Sequence, residues 1–214
     1  MLNGYKKILA IVPLVFLARG LEAKTNPMYL KNVFSALSPK DVRSVIYDTS
    51  EREDGKLTFE KIKETIAKTR DYEGYVADRY YGDFDGIPEE EEVRSFRRCA
   101  RTGLKTLDEL EKDMPALLAF ENLRGKSSRE IRDIVFKYAS ELAGTKRPRE
   151  EQVIEALKNL EEVSRKYAPD VCYGDGDGHS DEREKNEMTE DPGLWGFRHL
   201  INEYRFREAN LPTK

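Results

Sequence analysis

Carboxylates recur at a fixed spacing in two stretches of this chain. Residues 75–92 read Tyr-Val-Ala-Asp-Arg-Tyr-Tyr-Gly-Asp-Phe-Asp-Gly-Ile-Pro-Glu-Glu-Glu-Glu, and residues 167–184 read Tyr-Ala-Pro-Asp-Val-Cys-Tyr-Gly-Asp-Gly-Asp-Gly-His-Ser-Asp-Glu-Arg-Glu. Both fit the frame Y-x-x-D-x-x-Y-G-D-x-D-G-x-x-[DE]-E-x-E. Clustered carboxylates, a fixed glycine and a glutamate six residues after it suit a hard cation with oxygen ligands, above all calcium. A single acidic, glycine-containing run is ordinarily a solvated turn, since Asp and Gly both favour turn geometry. Two runs with one spacing point to the spacing itself as the feature that matters.

Other chemistries find little support. Cys99 and Cys172 are the only cysteines, and neither sits in C-x-x-C, so zinc or thiol redox chemistry has no motif behind it. The two cysteines are either one link between the halves of the chain or two free thiols. His179 and His199 are the only histidines. No Ser/His/Asp set, H-E-x-x-H or phosphate-binding loop is present, and no enzyme is expected. A hydrolase working through paired carboxylates is the weakest of the alternatives.

The D-x-D-G-x-x-[DE]-x-x-E core begins at Asp83 in the first copy and at Asp175 in the second, and it resembles the calcium loops of the EF-hand superfamily. It is also similar to the shorter calcium loops of thrombospondin type 3 repeats and dockerins. With Gly86 and Gly178 at the sixth place, the resemblance implies loops Tyr81–Glu92 and Tyr173–Glu184. It implies side-chain ligands from Asp83, Asp85, Glu89 and Glu92, and from Asp175, Asp177, Asp181 and Glu184. Ile87 and His179 would contribute backbone carbonyls, and the two final glutamates would each give two oxygens. The departure is the first loop place, where the family has Asp and this chain has Tyr81 or Tyr173. Asp78 and Asp170 stand three residues earlier in both copies, and an enlarged loop would let them supply the missing ligand. The tyrosines are expected to pack rather than bind.

The elements that must hold these loops read as helices. Ser38-Pro39-Lys40-Asp41 and Ser127-Ser128-Arg129-Glu130 are matched N-terminal capping signals, followed by Val42, Val45 and Ile46 or by Ile131, Ile134 and Val135 on one face. Second helices are expected from near Thr58 and near Pro148. A third follows each acidic motif, carrying Val93, Phe96, Ala100, Leu104 and Leu107 in one case and Leu194, Trp195, Leu200, Ile201 and Tyr204 in the other, with Trp195 in the core. A further helix is expected from Asp113–Pro115 to Gly125. Alternating strand patterns are scarce, so the fold is all-α, built from duplicated EF-hand-like helix–loop–helix pairs of about 90 residues each. The units are 24–126 and 127–214. Partner loops near Gly55 and Gly144 are degenerate: Arg52 and Lys61 stand where the first would need ligands, and residues 144–149 have lost the acidic set.

The chain has 214 residues, a 38% hydrophobic and 36% charged composition and a formal net charge of −4. That balance suits a globular chain that attracts cations, and without a basic stripe no nucleic-acid partner is expected. Lys6 and Lys7 precede an apolar run, Ile8 to Ala18, and Leu21-Glu22-Ala23 offers a small residue for cleavage. This order is that of a secretory signal peptide over residues 1–23, with an uncleaved anchor as the alternative. The run is too short for the roughly 20 residues of a spanning helix, so no membrane span is expected after cleavage. The expectation is a secreted or extracytoplasmic calcium-binding protein in a structural or interaction role. A helical interaction module that needs no metal is the main alternative.

Overall fold

The computed structural model describes Phe34, residues 38–51 and residues 57–209. The expected signal peptide, and most of the degenerate loop around Gly55, lie outside the described residues. Within them the chain is all-helical: α1 Pro39–Glu51, α2 Phe59–Asp71, α3 Glu73–Tyr81, α4 Glu90–Cys99, α5 Arg101–Leu123, α6 Ser128–Ala143, α7 Glu150–Ala168, α8 Glu182–Glu190 and α9 Trp195–Ala209. A π-helical turn, Pro169–Tyr173, extends α7, and a 3-10 turn, Pro192–Leu194, precedes α9. No described helix is long and apolar enough to cross a membrane.

Local sequence sets most boundaries. The Ser38 hydroxyl accepts from the Asp41 amide at the start of α1. Ser127 and Glu130 form a reciprocal capping box at the start of α6, and Thr58 caps α2 by accepting from the Lys61 amide. Each such cap satisfies helix N–H groups that have no intrahelical partner and contributes about 1 kcal/mol. At its other end α6 stops on Gly144, whose φ of 62° is the left-handed cap that glycine adopts without strain.

The segment after the first acidic motif differs from expectation. The backbone breaks at Ala100, which closes α4 and opens α5, and α5 then runs without interruption through Pro115 to Leu123. No helix starts at Asp113. Pro115 lies on the exposed face of α5, where water can satisfy the carbonyl that loses its helical donor. Burial on the opposite face holds the helix together: Leu107, Leu110, Met114, Leu117, Phe120 and Leu123 are all buried.

That face makes α5 the spine of the molecule. It packs on α1 and α2 from one unit and on α6 and α7 from the other. The boundary expected at 126/127 falls in the turn between α5 and α6, yet the buried side chains on both sides of it belong to one hydrophobic cluster. Trp195 is a correction. Its side chain is 58% exposed, because Leu194, Phe197, Leu200, Ile201 and Tyr204 already fill the inward face of the last helix.

Candidate metal centre

In the first acidic motif the last turn of α3 and the first turn of α4 hold the ends of the loop. Val76 and Ala77 bury α3, and Phe96 buries α4 between the rings of Phe34 and Tyr81. One carboxylate oxygen from each of Asp78, Asp83 and Glu92 lies within 4.8 Å of the others. Asp78 is only 2% exposed, and its Oδ1 has no hydrogen-bond partner. Its Oδ2 accepts from the Gly86 amide, which closes the loop back onto its own beginning. The Glu92 carboxylate is fixed by two amides, Asp83 N–H on Oε1 and Glu89 N–H on Oε2.

The second motif repeats this arrangement from a different helical context. Here α7 widens into the π-helical turn, and the turn delivers Asp170. Asp170, Asp175 and Glu184 each bring one oxygen within 4.8 Å of the others. Asp170 is 2% exposed with Oδ1 unpartnered, and Glu184 accepts from the Asp175 and Asp181 amides.

Each cluster thus reaches back to Asp78 or Asp170, three residues before Tyr81 and Tyr173. The two early aspartates, expected as candidates for the missing ligand, are buried in each cluster, as are Glu92 and Glu184. The tyrosines pack: the Tyr81 ring meets Phe96 edge-on, and the Tyr173 hydroxyl donates to Asp191. Asp83, Glu92, Asp175 and Glu184, expected as ligands, are the other members of the clusters. Four expected side-chain ligands stand apart from the clusters. Asp85 Oδ1 accepts from the Ile87 amide and Asp177 Oδ1 from the His179 amide, so each shapes its turn. Glu89 and Asp181 are the N-cap residues of α4 and α8, and Asp181 Oδ1 accepts from the Glu184 amide. The Ile87 and His179 side chains are exposed, as suits positions that could offer only a carbonyl.

Two residues escaped the sequence reading. A Cβ on Gly82 would lie 1.6 Å from Glu92 Oε1, and one on Gly174 would lie 1.9 Å from Glu184 Oε1. At both positions the glutamate carboxylate occupies the space of a side chain, so any residue other than glycine would displace it. The signal was in view, since both copies carry glycine immediately before the second cluster aspartate, Asp83 or Asp175.

Each cluster offers only carboxylate oxygen, with no sulfur or imidazole, a donor set suited to a hard cation. Oxygens on opposite sides of a calcium ion at about 2.4 Å would stand about 4.8 Å apart, so the three oxygens fit around one ion. A buried, unpartnered carboxylate oxygen is otherwise a destabilising feature. Burial pushes the Asp170 carboxyl up to about 7, and the negative charges of Glu184, Asp177 and Asp175 push the same way. Lys40, across the loop, holds Asp177 below the usual carboxylate range. Cys99 is exposed, Cys172 is half-buried, and both are free thiols. Comparison with known families, with curated proteins and with solved structures finds no match to this chain.

Proposed function

We propose that this chain is a calcium-binding protein with two EF-hand-like sites, in which Asp78, Asp83 and Glu92 hold one ion and Asp170, Asp175 and Glu184 hold the other. The observation that carries the reading is the pair of buried aspartates whose Oδ1 atoms have no partner. A folded chain leaves such an atom unsatisfied when something outside the protein satisfies it. An ion at each site would offset the mutual repulsion of three carboxylates and tie the helix before the loop to the helix after it. Binding would then appear as added stability.

The role proposed is structural or interactive and non-catalytic, in a compartment reached by export. Sites at the weak end of the calcium range, about 10⁻⁴ to 10⁻³ M, would fill there. Calcium titration of the full chain by calorimetry, with melting followed in calcium and in EDTA, tests this. Two binding events and a higher melting temperature support it, with Glu92→Gln and Glu184→Gln each removing one event. No heat and no melting shift at millimolar calcium would refute it and leave a helical interaction module.

A further inference from the structure

The two loops share their internal geometry but not their surroundings. A Cβ on Gly86, in the first loop, would meet nothing within 4 Å. The matching Gly178 lies against α1, where a Cβ would be 2.4 Å from the Lys40 carbonyl and 2.8 Å from the Ser44 nitrogen. Gly176 is likewise buried, close to Leu57 and Tyr47. The second loop is thus docked on the first helix of the opposite unit, and the first loop is open.

Two cations of α1 make the polar contacts. Arg43 donates through Nε and Nη2 to the Gly178 carbonyl, at 3.0 and 2.8 Å. The amide of the same peptide group, His179 N–H, donates to Asp177 Oδ1 at 2.8 Å, so this peptide is held from both ends. Lys40 Nζ lies 2.9 Å from Asp177 Oδ2. Both oxygens of Asp177 are therefore occupied. In the first loop Asp85 uses only Oδ1, on the Ile87 amide, and its Oδ2 has no partner among the described residues.

We infer that helix α1 makes the two metal sites unequal: the Lys40 ammonium competes with the ion for Asp177, and the second site is the weaker one in consequence. The inference rests on the calcium-site reading above. An ion at Asp170, Asp175 and Glu184 gains Asp177 as a further ligand only when Lys40 withdraws, whereas an ion in the first loop meets no such competitor at Asp85. The Lys40 ammonium also lies in the field of Asp170, so it opposes the incoming cation even before contact. Arg43 is a positioning residue in this scheme, fixing the Gly178–His179 peptide without reaching the clustered carboxylates.

The test is calcium calorimetry on the full chain with one site silenced at a time. In a Glu92→Gln background only the second site reports, and in a Glu184→Gln background only the first. If Glu92→Gln does not fold, Asp83→Asn silences the first site instead. Adding Lys40→Met should tighten the second site about three- to tenfold, since it removes both an ion pair and a like charge near the ion. It should leave the first site unchanged, and Lys40→Arg should keep the original second-site affinity. An unchanged second site, or equal tightening of both sites, overturns the inference while calcium binding stands. A chain that takes up no calcium in any background overturns the site reading and this inference with it.

Discussion

Replacing Asp170 with Asn should stabilise the metal-free protein and weaken it in calcium, two effects of opposite sign from one atom. The carboxyl is raised from 3.8 to about 7 by burial and by its acidic neighbours. Its pKa is thus higher folded than unfolded. The difference adds nothing to instability below about pH 3.8, grows as pH rises between the two values, and reaches its full size above about pH 7. At about 1.36 kcal/mol per unit, the ionised group costs on the order of 4 kcal/mol at most. Asn is nearly isosteric and uncharged, and its amide can donate to Glu184. Recovery of about half that amount is reasonable, and in a chain of this size it would raise the melting temperature by about 4–8 °C in EDTA at about pH 8. In calcium at about 100 times the dissociation constant, the native second site contributes about 2.7 kcal/mol that the variant forgoes, so the order of melting temperatures reverses. Melting both proteins in EDTA and in calcium reads the result directly. A variant less stable than the native protein in both conditions would refute the reasoning, because Asp170 would then be a structural acceptor and not a strained ligand.

Gly82→Ala and Gly174→Ala should each abolish one calcium event in calorimetry and destabilise by about 1–3 kcal/mol, since the added methyl displaces the Glu92 or Glu184 carboxylate. Gly178→Ala should cost about 3 kcal/mol in urea unfolding, combining a φ of +84° with a collision against the α1 backbone. Gly86→Ala should cost only about 1 kcal/mol, because it meets the φ strain alone. Asp181→Ala should lower stability by about 1 kcal/mol through the lost cap of α8, while the second calcium event persists in the titration.

What was legible in the sequence was local. Capping boxes, the apolar faces of α1, α2, α6 and α7, and the D-x-D-G turn all depend on residues within a few places of one another. The matched pair Asp78 and Asp170 could be suspected because duplication marks both positions at once. Their burial could not be read, because it depends on how α3, or the turn after α7, packs against the helix leaving the loop. That Glu89 and Asp181 cap α4 and α8 could not be read for a related reason. An acidic residue just before a helix can bind an ion or cap the helix, and only the backbone around it decides which. Pro115 and Trp195 failed as guides because packing on the other face of α5 outweighs one missing hydrogen bond, and because five apolar neighbours fill the core before Trp195 is needed.

The largest gap between pattern and structure is the docking of the second loop on α1, and it shows how copies with one frame acquire different properties. At the place between the two turn aspartates, one copy has Phe84 and the other Gly176, both with positive φ, 63° and 69°. Phe84 tolerates the strained backbone because its ring lies in the open loop, 4.5 Å from the Arg79 guanidinium and edge-on to Tyr75. Gly176 sits where a side chain would press on Leu57 and Tyr47 of the opposite unit. Glycine there answers to a neighbour outside the loop as well as to the local turn. The ligand frame can thus stay the same while the surface around it diverges. Lys40 and Asp177 are 137 residues apart, and no spacing rule within a motif could pair them. A repeat in the sequence identifies the residues able to hold an ion; the tertiary neighbours of each copy set how tightly it is held.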